Sequence, residues 1–151
     1  MIALLQRVHH ASVTVSEKQI ASIQEGLLVF IGIEKNDTKE QANKLLNRLI
    51  AYRVFSDEDD KMNLSLKDIN GGLLLVPQFT LAANTNKGLR PSFNSAAPPE
   101  EGKALFDYMC DYAQQIHPTV SIGEFGADMQ VSLTNNGPVT FWLQSPPENQ
   151  G

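Results

Sequence analysis

A chain of 151 residues, 42% hydrophobic and 19% charged, is sized for one domain, 1–151, whose core needs no staples. Its formal net charge of −5 argues against a protein that wraps a nucleic-acid duplex, because such binding runs on phosphate neutralisation; it leaves room for one that grips only an RNA end. No apolar stretch approaches the ~18 residues of a membrane span, and the opening Met1-Ile2-Ala3-Leu4-Leu5-Gln6-Arg7-Val8 is short and soon charged for a signal peptide, so a cytoplasmic protein is expected, without a membrane partner.

Ile2 to Val8 alternates in part and reads as a strand; Val13 and Val15, alternating with Ser12 and Thr14, read as a second, and Ile20 to Ile23 as a third. Gly26 opens Leu27-Leu28-Val29-Phe30-Ile31-Gly32-Ile33, a continuous apolar run typical of a strand buried on both faces. Thr38 and Gln41 form a capping-box pattern, followed by the stripe Ala42, Leu45, Leu46, Leu49 and Ile50 of a first helix. After an acidic turn, Gly71-Gly72 precedes the strand Leu73-Leu74-Leu75-Val76, which runs into Pro77-Gln78-Phe79-Thr80. Asn84 to Pro98 is a polar loop punctuated by Gly and Pro. A second helix starts near Pro99, buries Leu105, Tyr108, Met109, Tyr112 and Ile116, and stops at Pro118. Cys110, the one cysteine, falls in this pattern and reads as a buried inert thiol. Val120 to Ile122, Met129-Val131-Leu133 and Val139-Phe141-Leu143 read as further strands, and the tail 145–151 as frayed. The sum is α+β: a mostly antiparallel, barrel-like sheet with two main helices.

The patterns for common chemistries are missing. His9, His10 and His117 lack metal-ligand spacing. Asp57-Glu58-Asp59-Asp60 begins like a calcium loop but has Lys61 and Met62 where an oxygen ligand and Gly are required. No metal or cofactor is therefore expected. No Gly-x-Ser-x-Gly elbow is present and no pattern brings a histidine to Thr80, so a Ser-His-Asp triad is not expected. On pattern alone, Asn136-Gly137-Pro138 is a turn between two strands with a trans bond. Lys87 and Arg90, in the polar loop, are either solvated or a phosphate site.

Three segments change this balance. Val76-Pro77-Gln78-Phe79-Thr80-Leu81, then Gly88-Leu89-Arg90-Pro91-Ser92-Phe93, and finally Met129-Gln130-Val131-Ser132-Leu133-Thr134-Asn135-Asn136-Gly137-Pro138-Val139-Thr140 together resemble the D-aminoacyl-tRNA deacylase family. The opening residues and Tyr52-Arg53-Val54-Phe55-Ser56-Asp57 resemble it too, so the likeness runs from residue 1 to about 144. The resemblance implies a deacylase-type fold and a homodimeric hydrolase acting on carboxylic esters. Its reaction would be chiral proofreading: cleavage of a D-amino acid, or mischarged glycine, from the aminoacylated 3′ end of tRNA, with L-aminoacyl-tRNA spared. Gln78, Phe79 and Thr80 would line the catalytic site. Gly137-Pro138 would be a cis dipeptide inserted into the partner's site and oriented by Arg7. Phe125 and Met129 would lie by the terminal adenosine. Thr80 as covalent nucleophile, or as a group that only positions water or substrate, both remain open. Pro77 stands where the family pattern has Ser, which is the feature that would favour a non-catalytic or weakly active tRNA-end-binding module.

Overall fold

A computed structural model describes residues 1–146. The chain runs β1 (Ile2–Val15), β2 (Lys18–Ile23), β3 (Gly26–Gly32), α1 (Lys39–Ala51), β4 (Phe55–Ser56), β5 (Met62–Leu64), α2 (Leu66–Ile69), β6 (Gly72–Pro77), a 3-10 turn (Phe79–Ala82), α3 (Pro99–Ile116), β7 (Val120–Ile122) and β8 (Gln130–Gln144). The expected α+β architecture with two main helices is present, and α2 adds a third, short one. The main sheet has the order β2-β1-β3-β6-β7, with β8 on the other side of β1. Three pairings are antiparallel, β1 with β2, β3 and β8. Two, β3 with β6 and β6 with β7, are parallel. Ser121 Oγ donates to Ser22 O at 3.0 Å, which links β7 back to β2 and curls the sheet toward a barrel.

Three boundaries differ from the sequence reading. Ile2–Val8 and Val13–Val15 are one strand, because β1 runs unbroken through the exposed pair His9 and His10. The strands expected at Met129–Leu133 and Val139–Leu143 are likewise one, β8, which starts at Gln130. In both cases the register absorbs the irregularity: β1 and β8 shift between Gln6 and Val8 and again between Val8 and His10, as β-bulges do. Ser145 and Pro146, expected to fray, are tied down. The Met1 ammonium donates to Glu34 Oε1 (2.8 Å), Asp37 Oδ1 (3.1 Å) and Ser145 O (2.9 Å), and Gln41 Nε2 donates to Pro146 O at 2.6 Å. Burial pushes the Asp37 carboxyl above its usual range, against the pull of that ammonium. The rest of the expected tail, 147–151, lies outside the described residues.

The apolar runs fill two cores. Alternate residues of β3 and β6 face opposite ways. Leu27, Val29, Ile31, Leu73 and Leu75 pack under α1 and α3. Leu28, Leu74 and Val76 join Val8, Val13 and Ile23 inside the curl. The α1 capping box forms as expected: Gln41 N donates to Thr38 Oγ1 (3.2 Å) and Thr38 N to Gln41 Oε1 (2.8 Å). On α3 the buried stripe is rotated from the expected one. Leu105, Phe106, Met109, Cys110 and Ala113 are buried, while Tyr108 and Tyr112 stack on each other at its margin, centroids 6.3 Å apart. Burial pushes the Cys110 thiol up to about 12, which makes it the inert thiol expected.

Where β3 and β6 begin, Gly26 and Gly72 are paired neighbours. A Cβ on Gly26 would lie 1.9 Å from Gly72 O, a backbone atom that cannot rotate away. Gly26→Ala is therefore expected to cost about 3 kcal/mol of stability, at the upper end of ordinary overpacking, read as a lower midpoint in denaturant titration.

Candidate active site

The site begins where β6 ends. Pro77 pairs with Ile31, and Gln78 N donates to Ile31 O at 2.8 Å, so the ladder asks no N–H of the proline. The chain then tightens into the 3-10 turn. Its first bond runs from Leu81 N to Gln78 O at 3.2 Å, which leaves the Phe79 and Thr80 amides ahead of the turn's own hydrogen bonding. Gln78 Nε2 donates to Thr80 Oγ1. Phe79 is 61% exposed and is held by Phe93, ring centroids 5.2 Å apart.

These residues rim a groove of about 680 Å3 floored by Val76 and Pro77 and lined by Gln78, Phe79, Phe93, Phe125, Met129 and Val131. Four of the expected site residues therefore converge: Gln78, Phe79, Phe125 and Met129. Phe125 is propped from α3, with Phe106 at 6.3 Å between centroids and Gly102 beneath it, where an added Cβ would lie 3.2 Å from its ring. Met129 is seated by its sulfur, which accepts from Glu124 N at 3.4 Å. Thr80 is exposed and adjoins the groove through Gln78 without lining it. Among the described residues that line the groove, Lys35 carries the only titratable side chain. The sequence reading missed Lys35 and the supporting ring Phe93, although Phe93 closes a quoted motif.

Among the described residues no hydrogen bond joins a histidine to Thr80. His117 is buried and touches Gly71 O at 2.6 Å. Gly71 lies just before β6, at the end opposite the one that leads into the 3-10 turn. His10 is engaged with Thr134 Oγ1 at 3.1 Å. The acidic run is a turn: Asp57 accepts from Asp59 N, Lys61 N and Asn63 Nδ2 at 2.9, 3.0 and 2.7 Å, and these bonds hold its carboxyl below the ordinary range.

Gly137 and Pro138 lie elsewhere. Gln6 faces Thr140 and Val8 faces Asn135, so Arg7 alone stands opposite Asn136, Gly137, Pro138 and Val139. The surplus residues bulge from β8, and both Gly137 and Pro138 are exposed. Their peptide bond is cis, where the pattern alone gave a trans turn; the segment belongs to a continuous strand. Arg7 braces the bulge, with Nε donating to Asn136 O (3.0 Å) and Nη1 to Val54 O (2.8 Å). Asn135 clasps it from the other side: Val139 N donates to Asn135 Oδ1 (2.8 Å) and Asn135 Nδ2 to Thr140 Oγ1 (3.0 Å). Gly137 has φ +140°, and a Cβ there would meet Val139 Cγ2 at 2.6 Å and Arg7 Nη2 at 3.1 Å. The bulge does not line the groove of its own chain. Val131, which does, lies six residues earlier on β8, up to ~20 Å away at the usual strand rise.

Known proteins bear out the resemblance. The family model described as D-Tyr-tRNA(Tyr) deacylase matches residues 4–144. A D-aminoacyl-tRNA deacylase of Stutzerimonas stutzeri is 59% identical over 145 residues, covering 96% of this chain and 100% of that protein. One of Burkholderia vietnamiensis is 60% identical over 152 residues, covering 97% and 100%. Among solved structures, a c-Myc DNA unwinding element binding protein superposes with a TM-score of 0.92 at 37% identity, over 97% of this chain and 99% of that one. A probable eukaryotic D-amino acid tRNA deacylase, at 18% identity and TM-score 0.80 over 94% and 97%, shares the fold. With a groove built from its Gln78-Phe79 and Phe125–Met129 segments and a family match over nearly its whole length, the chain belongs to the D-Tyr-tRNA(Tyr) deacylase family.

Proposed function

We propose that this chain hydrolyses the ester joining a D-amino acid, or glycine, to the terminal adenosine of tRNA, as a homodimer in which each groove receives Gly137-Pro138 of the partner subunit. The observation that carries the reading is an aromatic groove rimmed by Gln78 and Phe79, at the start of a 3-10 turn whose first bond is taken by Leu81 N, with Lys35 the only titratable side chain among the described residues that line it. Such a site suits a substrate that is already activated, and an aminoacyl ester is one. Water adds to the ester carbonyl; the oxyanion is met by the N–H groups of Phe79 and Thr80. The C–O bond to the ribose then breaks, and the neighbouring 2′-hydroxyl passes the water's proton to the departing oxygen. Gln78 fixes the Thr80 hydroxyl, which orients water or substrate. Phe125 and Met129 hold the adenine between apolar surfaces.

The bulge supports the dimer. It is braced from within, exposed without, and does not line its own chain's groove, so the groove that receives it would be that of a second copy. Chirality is then read by main chain: an L side chain on the substrate α-carbon would strike the inserted backbone, a D side chain would point to solvent, and glycine would have nothing to reject. The non-catalytic alternative rested on Pro77, whose missing N–H the β-ladder does not use.

Purified protein should therefore hydrolyse D-aminoacyl-tRNA and spare the matched L-ester. Equal rates on both, or none on either, would overturn the reading. In sedimentation it should be a dimer at micromolar concentration; a fully active monomer would refute the composite site. Thr80→Ala should slow turnover by no more than the ~10²–10³ typical of a lost oxyanion-hole contact, and a folded but wholly inactive variant would point instead to Thr80 as nucleophile. Pro77→Ser should change kcat/KM by less than about tenfold, or roughly 1.4 kcal/mol; a gain of a hundredfold would mark the native proline as an impairment.

A further inference from the structure

From Ile69 to Pro99 the sequence holds no Asp or Glu, in a chain with 17 acidic residues and a net charge of −5. The only charged side chains of that stretch are Lys87 and Arg90. Both sit on a tongue beside the groove. Asn84 N donates to Ser92 O (2.7 Å) and Ser92 N to Asn84 O (2.9 Å), closing its base. Asn86 N donates to Asn84 Oδ1 at 2.9 Å, turning the chain outward, and Gly88 takes φ +69° at the tip with open space around it. Leu89, between the two cations, is fully exposed. Just past the base, Phe93 packs on Phe79, which ties the tongue to the rim of the groove. Lys35 lines that groove and its N–H donates to Ser95 O at 3.1 Å, so a third cation stands beside the tongue's return leg.

Two cations flanking a solvated apolar side chain, in a segment cleared of carboxylates, match a single RNA strand: phosphates take the charges and a base face takes the apolar group. An acidic peptide would use the charges but leaves Leu89 unexplained. We propose that Lys87 and Arg90 bind the backbone phosphates of the single-stranded tRNA 3′ end, at the nucleotides just before the terminal adenosine, with Leu89 against a base. The proposal rests on the deacylase reading of the groove and names the part of the substrate that the groove itself does not hold.

The test compares two esters, full-length D-aminoacyl-tRNA and the minimal 3′-O-D-aminoacyl-adenosine, which has no phosphate. The variant is Lys87→Gln with Arg90→Gln, two exposed positions outside the catalytic contacts. On tRNA, kcat/KM should fall about tenfold, carried by KM, the scale of two surface charge contacts. The log–log salt dependence should flatten by about 1.4, at ~0.7 per phosphate of single strand. On the adenosine ester the rate should stay within about twofold of the parent. An equal loss on both esters, an unchanged rate on tRNA, or a variant that sediments as a monomer would overturn the proposal. A parent protein that cleaves neither ester would sink the deacylase reading alone. Anisotropy of a fluorescent single-stranded RNA ending in CCA would then still decide the tongue, weaker binding by the variant supporting it and equal binding refuting it.

Discussion

β1 is hydrogen-bonded along both edges. On one side it holds β3 and then β2; on the other, β8 follows it from Ile2 to Thr14. The consequence is geometric. β3 fixes where β6 ends and hence where the 3-10 turn offers its amides. β8 carries, in one continuous element, the groove residue Val131 and the bulge at Gly137. An element bonded on both edges cannot slip by one residue without reversing every side chain it presents. The surplus residues of β8 opposite Arg7 are thus held in register by long ladders on either side of them.

The chemistry proposed for the site is that of placement. Among the described residues the groove's titratable lining is a single lysine, and the Thr80 hydroxyl is partnered by Gln78, not by a histidine. The proposed reaction relies instead on main-chain polarity, which has a fixed direction and no ionisation state to be tuned. The same preference for main chain over side chain recurs at the bulge. Arg7 gives Nε and Nη1 to main-chain carbonyls, and Asn135 accepts from the Val139 amide while donating to the Thr140 hydroxyl.

Much of this was legible in the sequence, for identifiable reasons. Helix α1 announced itself because a capping box and an apolar stripe are local signals, and local signals need no knowledge of partners. The β3 and β6 runs were legible as doubly buried strands; their parallel pairing was not, since it depends on a crossover that composition does not encode. The break expected in β1 failed because His9 and His10 look like punctuation, whereas a strand paired on both edges carries exposed polar residues without interruption. On α3, tyrosines that read as core stand at its margin, where their hydroxyls reach Asn43 and Asn47 on α1. At the site, Gln78, Phe79, Phe125 and Met129 were named through the resemblance. Lys35 and Phe93 were not, because their place follows from tertiary packing alone.

The bulge also constrains how this protein can change. If its outer surface is the selective one, that surface consists of a glycine without space for a Cβ and a proline ring, with no functional group to exchange for a slightly different one. Drift there can abolish discrimination but has few intermediate grades to explore. New preferences among substrates would have to arise on the opposite wall, around Phe79 and Phe93, where side chains are large, exposed and replaceable one at a time. The two walls would then evolve at different tempos, one nearly frozen and one free.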